Sequence, residues 1–266
     1  MPEFVDIHSH INFSAYDEDR GEVIKRMQDA HVAAITVGVD LKSSEQAVEL
    51  AEKEKHIFAT IGLHPNNSAE ESFDAGSYKD LVNKKSVVAV GECGLDYYRN
   101  DADDPLVKKR QQDAFAAQID FALTHNKPLM LHCRPSKKSM NAYEEVLDIL
   151  RSCAKSNGEK LRGDVHFFVG TEKIAKGFLD LGFTLSFTGV ITFARDYDAV
   201  IRYVPADMIL SETDSPYVSP EPYRGKRNEP AYVIEVVKQL ASIRGVSSES
   251  LAPQLLQNAK RVFGFE

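Results

Sequence analysis

Short apolar runs rich in β-branched residues alternate along this chain with longer segments of helical period. The runs fall at Phe4–His8, Ala34–Val39, Ile57–Gly62, Val87–Gly91, Pro128–His132, Asp164–Phe168, Phe183–Phe187 and Met208–Ser211. Most are continuously apolar, as in Val87-Val88-Ala89-Val90, which predicts strands of a parallel sheet buried on both faces. The segments between them read as helices. Val233, Val236, Val237, Leu240 and Ile243 form one apolar stripe, with Glu235, Lys238 and Gln239 on the opposite side. Asn228 is the expected N-cap of that helix, with Pro230 in its first turn. Eight strand-like runs alternating with helices predict an α/β protein of (β/α)8, or TIM-barrel, architecture. An open doubly wound sheet is the alternative, and periodicity alone does not choose between them.

Composition narrows the class. The chain has 266 residues, 43% hydrophobic and 27% charged, enough for a core that needs no disulfide staples. No low-complexity segment or Gly/Ser linker interrupts it, so one domain over residues 1–266 is expected. Cys93, Cys133 and Cys153 cannot all pair and show no CxxC spacing, which points to a reducing, cytoplasmic setting. No signal peptide is expected at the N-terminus, and no run of about 18 apolar residues predicts a membrane span. With 32 Lys+Arg against 40 Asp+Glu the formal net charge is −8. That balance argues against a protein that coats nucleic acid by charge alone.

Candidate chemistry gathers at the strand ends. Five of the eight histidines, His8, His10, His64, His132 and His166, lie at or just past predicted strands. Glu92 follows the fourth strand and Asp214 the eighth. In a barrel the C-terminal strand ends form one rim, so these residues converge. His8 and His10 point to the same side of an extended chain and can reach one cation, although two capped histidines near a turn would give the same spacing. Asp6 shares their face and could orient a ring. Glu92, between Gly91 and Gly94, can bridge two metal ions, whereas Cys93 should point into the core. Glu212 and Asp214 share a face by alternation, so spacing leaves open which of them is a ligand. Asp214 also suits the base that takes a proton from an attacking water, or simply a turn before Pro216. His31, His56 and His125 read as structural. Arg224, Lys226 and Arg227, beside a predicted helix N-terminus, would suit a phosphate or merely a solvated loop.

These residues, taken in order, resemble a known family. His8-x-His10, Gly62-x-His64-Pro65, Gly91-Glu92-x-Gly94-Leu95-Asp96, His132-x-Arg134, His166, Glu212-Thr213-Asp214-Ser215-Pro216 and Arg227-Asn228-Glu229-Pro230 resemble the TatD family of metal-dependent deoxyribonucleases. The resemblance runs from residue 6 to about residue 232. It implies a TIM barrel among the amidohydrolase-like metal hydrolases and a DNA substrate, single-stranded or at chain ends, cut in exonuclease fashion. It also implies that His8, His10, Glu92, His132, His166 and Asp214 are the metal ligands, which favours Asp214 over Glu212. Two divalent ions (Zn, Mn or Mg) would be held, one by His8 and His10, the other by His132 and His166. Glu92 would bridge them, with Asp214 on the first ion and on the attacking water. They would move the net charge toward about −4. His64, Arg134, Arg224 and Lys226 are the candidates for substrate phosphates. The chain departs from the family at Phe167, where Cys is frequent, and at Pro135, where an acid is frequent. Neither change removes a ligand.

Two other functions fit parts of this pattern. The same ligands would serve a hydrolase of small esters, amides or aminoacyl compounds, because the chemistry attacks a carbonyl carbon as well as phosphorus. A non-catalytic scaffold on a degenerate barrel has no use for a full ligand set. No obligate protein partner is evident.

Overall fold

The structure, a computed structural model, describes residues 1–69, 71–99 and 104–265. Eight strands form one sheet in sequence order: β1 (Phe4–Ser9), β2 (Val32–Val37), β3 (Ile57–Ile61), β4 (Val87–Asp96), β5 (Leu129–Arg134), β6 (Gly163–Val165), β7 (Thr184–Phe187) and β8 (Ile209–Ser211). Neighbouring strands are parallel throughout. The ends of the sheet meet just past β1 and β8. Ser9 and Ser215 form a parallel bridge, the Asp214 N–H donates to the His8 carbonyl at 2.9 Å, and the His10 N–H donates to the Ser215 carbonyl at 2.7 Å. That closure decides for a (β/α)8 barrel over an open sheet.

A helix follows each strand: α1 (Arg20–Asp29), α2 (Leu41–Lys53), α3 (Ala75–Val82), α4 (Pro105–Thr124), α5 (Asn141–Asn157), α6 (Glu172–Leu179), α7 (Asp198–Tyr203) and α8 (Val233–Arg244), with a further α9 (Ser248–Phe263). Their starts carry the expected chemistry. The Asp40 carboxylate accepts from the Ser43 N–H in a capping box on α2, and Thr171 and Ser247 cap α6 and α9. The α9 helix lies against the barrel floor. Asn258 donates to the carbonyls of Ala206 and Ile209, Phe265 stacks on Phe58, and Val262 and Phe263 share a cluster with Val5, Val88, Met130 and Leu210.

Two local expectations are corrected. β4 continues past Gly91 to Asp96, so Glu92 lies inside a strand rather than after one. Its two glycines permit this, because β4 rides close on β5. A Cβ at Gly91 would lie 2.4 Å from the Met130 carbonyl oxygen, and at Gly94 2.1 Å from that of His132. The register shifts between Val90 and Cys93, which turns Glu92 inward and leaves Cys93 in the core with Leu95 and Leu131. Asn228 is not the N-cap of α8, which is Tyr232, after a 3-10 turn over Pro230–Tyr232. Asn228 is instead buried, its amide donating to the carbonyls of Thr213 at 2.9 Å and Tyr217 at 2.6 Å. His31 and His56 adopt the left-handed region (φ 56° and 61°) in turns that enter β2 and β3. His125 ends α4.

Candidate metal centre

The C-terminal ends of β1, β4, β5, β6 and β8 bring His8, His10, Glu92, His132, His166 and Asp214 together. Ring or carboxylate atoms of His8, His10 and Glu92 lie within 4.8 Å of one another, as do those of His8, His166 and Asp214, and those of Glu92, His132 and His166. Glu92, His8 and His166 each belong to two of these groups, and Glu92 links the His8–His10 pair to the His132–His166 pair. Its Oε2 is 3.4 Å from His8 Nε2, and its Oε1 is 2.7 Å from His132 Nδ1, 3.5 Å from His64 Nε2 and 3.8 Å from His166 Nε2. Asp214 Oδ1 lies 3.5 Å from His10 Nε2 and 3.9 Å from His8 Nε2. The His8 and His166 rings stack with centroids 3.4 Å apart.

Two other carboxylates face ring nitrogens, and one of them holds its ring by a hydrogen bond. Glu212 Oε2 is 2.8 Å from His166 Nδ1, and its Oε1 accepts the Phe167 N–H at 2.6 Å, which leaves His166 Nε2 facing the cluster. Asp96 Oδ2 lies 3.4 Å from His132 Nε2 without a hydrogen bond to it and accepts from Asn66 Nδ2 at 2.8 Å, while Nδ1 of His132 faces Glu92 at 2.7 Å. Spacing along β4 carried the signal for Asp96, since residues 92, 94 and 96 share a strand face. The role of Glu212 had no such signal. Extended geometry ends at Ser211 and Asp214 turns to φ 55°, so the alternation that grouped Glu212 with Asp214 does not apply. Asp6 does not orient a ring. Its carboxylate accepts from the His8 and Thr213 N–H groups and the Thr213 hydroxyl, and so ties β1 to the segment after β8.

Charge follows this geometry. Burial opposes ionisation of Glu92, yet His64, His8 and His132 hold its carboxyl well below the usual carboxylate range. Burial lowers His8 and His64. His132 is lifted to about 9 against burial, by Asp96 and Glu92, and His166 to about 10, by Glu212. Asp214 is also depressed despite burial, chiefly through His10. Beneath the cluster burial and the Glu212 charge push Asp164 up to about 8, against hydrogen bonds from Ser186 and Thr184.

The donor set fits a divalent cation. His8 is fully buried with neither ring nitrogen hydrogen-bonded, a costly state unless something else meets the ring. Imidazoles with carboxylates suit Zn²⁺ or Mn²⁺ and, less well, Mg²⁺.

A cavity of about 580 Å³ opens over the cluster. His64, Arg134, Asn66, Asp96 and Arg99 line it. Arg134 lies 4.1 Å from the ring centre of Tyr98. Arg224 and Lys226 do not line this cavity. The Arg224 guanidinium covers Phe193 at 3.9 Å and donates to the Ser219 carbonyl, and Lys226 is exposed on the same turn. Arg227 pairs with Asp19 at 2.6 Å, which fastens the loop to the segment before α1.

A family model for TatD-related DNases matches residues 5–264. The chain belongs to the TatD family. It is a metal-dependent hydrolase of that family. Among its TatD relatives, the metal-dependent hydrolase YabD of Bacillus subtilis is 37% identical over 262 residues, covering 97% of this chain and 98% of the relative. The 3'-5' ssDNA/RNA exonuclease TatD of Pantoea ananatis is 34% identical over 269 residues, with 97% and 98% covered. The crystal structure of the TatD homologue YJJV from Escherichia coli superposes with a TM-score of 0.88 at 26% identity, covering 99% of both chains.

Proposed function

We propose that this protein is a deoxyribonuclease that removes nucleotides from the ends of single-stranded DNA, using two divalent ions. The observation that carries the reading is Glu92 shared between two groups of donors, one with His8 and His10, the other with His132 and His166. The exonuclease activity in the name of the Pantoea ananatis relative supports the substrate class. Three cysteines without a disulfide fit a cytoplasmic enzyme.

Bound divalent ions supply the Lewis acidity that activates water and offsets charge on phosphodiester oxygens. His8, His10 and Asp214 would hold one ion, and His132 and His166 the other, with Glu92 between them. Asp214, held ionised, accepts the proton of the attacking water. His64 and Arg134 reach the cavity and hold non-bridging phosphate oxygens there. Glu212 keeps the His166 ring turned so that its Nε2 faces the reaction, and the Asp96 charge lies behind His132, whose Nδ1 faces the same space. Arg224 and Lys226 lie outside the cavity and have no part in this step.

The test is reconstitution with Zn²⁺, Mn²⁺ or Mg²⁺ in turn, assayed on an end-labelled single-stranded oligonucleotide. A ladder shortening from one end is expected. Internal fragments would make the enzyme an endonuclease, and turnover of small esters or amides alone would replace the reading with the small-substrate hydrolase. Glu92→Gln and Asp214→Asn should each abolish cleavage while the circular-dichroism spectrum is kept; full activity in either overturns the site assignment.

A further inference from the structure

The metal cavity has a neighbour. A second cavity, about 700 Å³, opens beside it over the segments that follow β1 and β2, and both volumes fall in the roughly 300–1,000 Å³ range of small-ligand sites. Phe13, Val39 and Tyr217 line both, so they form a saddle between the two. Phe13 stacks on the His10 ring with centroids 4.4 Å apart. Tyr217 stands edge-on to His10 at 6.2 Å and is 52% exposed. The backbone of Tyr217 is engaged, its N–H donating to the Asp214 carbonyl and its carbonyl accepting from Asn228. Its ring is left as an open aromatic surface beside a metal ligand, a surface on which a base can stack.

The charges beyond the saddle sort themselves by pairing. Arg20 pairs with Asp17 at 2.6 Å and Lys53 with Glu49 at 2.5 Å, while Asp40 caps α2 through the Ser43 N–H at 2.6 Å. Lys42 lines the same cavity and has no ion pair or hydrogen bond through its side chain among the described residues. A cation without an ion pair past an open aromatic ring is the order in which a single strand presents a phosphate and a base.

We infer that the substrate strand runs from the metal cavity over this saddle, one base stacking on Tyr217 and the following phosphodiester meeting Lys42. The inference rests on the nuclease reading and extends it, making strand length beyond the scissile bond a determinant of binding. Bases inside a duplex are stacked on both faces and cannot meet Tyr217 beyond the scissile bond, so the path also favours unpaired strands.

Fluorescence anisotropy of the metal-loaded enzyme with labelled, phosphorothioate-linked oligodeoxyadenylates of two and six nucleotides tests it. The parent should bind the longer strand more tightly. Tyr217→Ala should shrink the ratio of the two Kd values by about fivefold or more, the loss of one stacked base, and Tyr217→Phe should restore it. Lys42→Gln should lower the slope of log Kd against log salt for the longer strand by about 0.7, the effect of one lost single-strand phosphate contact. A length ratio in Tyr217→Ala equal to the parent's, or a salt slope in Lys42→Gln equal to the parent's, overturns the path. If the parent neither binds nor cleaves an oligonucleotide of any length, the nuclease reading has failed and the path with it. Cleavage that persists with unaltered length dependence sinks the path alone.

Discussion

Glu212 is fully buried and lies beside the ring of His166, which the proposed function makes a metal ligand. Its two oxygens have two separate tasks, the ring of His166 and the Phe167 N–H. Glu212→Gln can keep only one, because its amide nitrogen does not accept. Metal affinity should therefore fall about 10- to 100-fold, as for other groups that orient a ligating histidine, read by competition with a chromophoric chelator. Affinity equal to the parent's would show that His166 is held by packing instead. At this scale the sequence is informative where the backbone is extended and silent where it turns. His8 and His10 were legible because two residues along a strand return to one side, and Asp96 shares that geometry with Glu92. Beyond Ser211 the chain leaves the strand, and the pairing of Glu212 with Asp214 loses its basis. Charge along the sequence also does not report its partner. Arg227 in the basic loop is matched by Asp19, which lies near the other end of the chain.

Among the elements, β4 carries the strictest packing demand. A methyl group at Gly94 would meet the His132 carbonyl oxygen at 2.1 Å with φ at 142°. Gly94→Ala should destabilise the fold by at least about 2 kcal/mol in urea unfolding, combining overpacking with a disfavoured backbone. Gly21, in α1, has no atom within 4 Å of the position its Cβ would take. Gly21→Ala should stabilise by about 0.5–1 kcal/mol in the same assay, since helix propensity alone is at stake. Opposite signs at two glycines would confirm that β4 is held against β5 by contact rather than by composition. All eight strands were legible, most of them as continuous apolar runs, because both faces of the sheet are largely buried. The length of β4 was not, because glycines that read as a turn here allow close approach. Asn228 was misread for a related reason, since a capping side chain and a carbonyl clamp use the same amide.

The whole molecule has a formal net charge of −8 before any ion is bound, and the proposed substrate contacts are local. Binding of single strands should show a shallow salt dependence, with a slope in log Kd against log salt of about 0.7 per phosphate met; a slope above about 5 would mean a wider charged track. Metal should also stabilise the barrel. Free ion at about 100 times its dissociation constant contributes about 2.7 kcal/mol, so chelation should lower Tm, and an unchanged Tm in Glu92→Gln on adding chelator would tie that effect to this cluster. The closure past β1 and β8 has a consequence for biosynthesis. The Asp214 N–H reaches the His8 carbonyl across nearly the entire chain, and Asp214 itself sits beside His8 and His10. A nascent polypeptide that has emerged only through β7 holds His8 with Glu92 but lacks Asp214, the carboxylate that faces His10. A metal site that uses Asp214 would therefore be complete only once the last strand has left the ribosome and the ring of strands has closed.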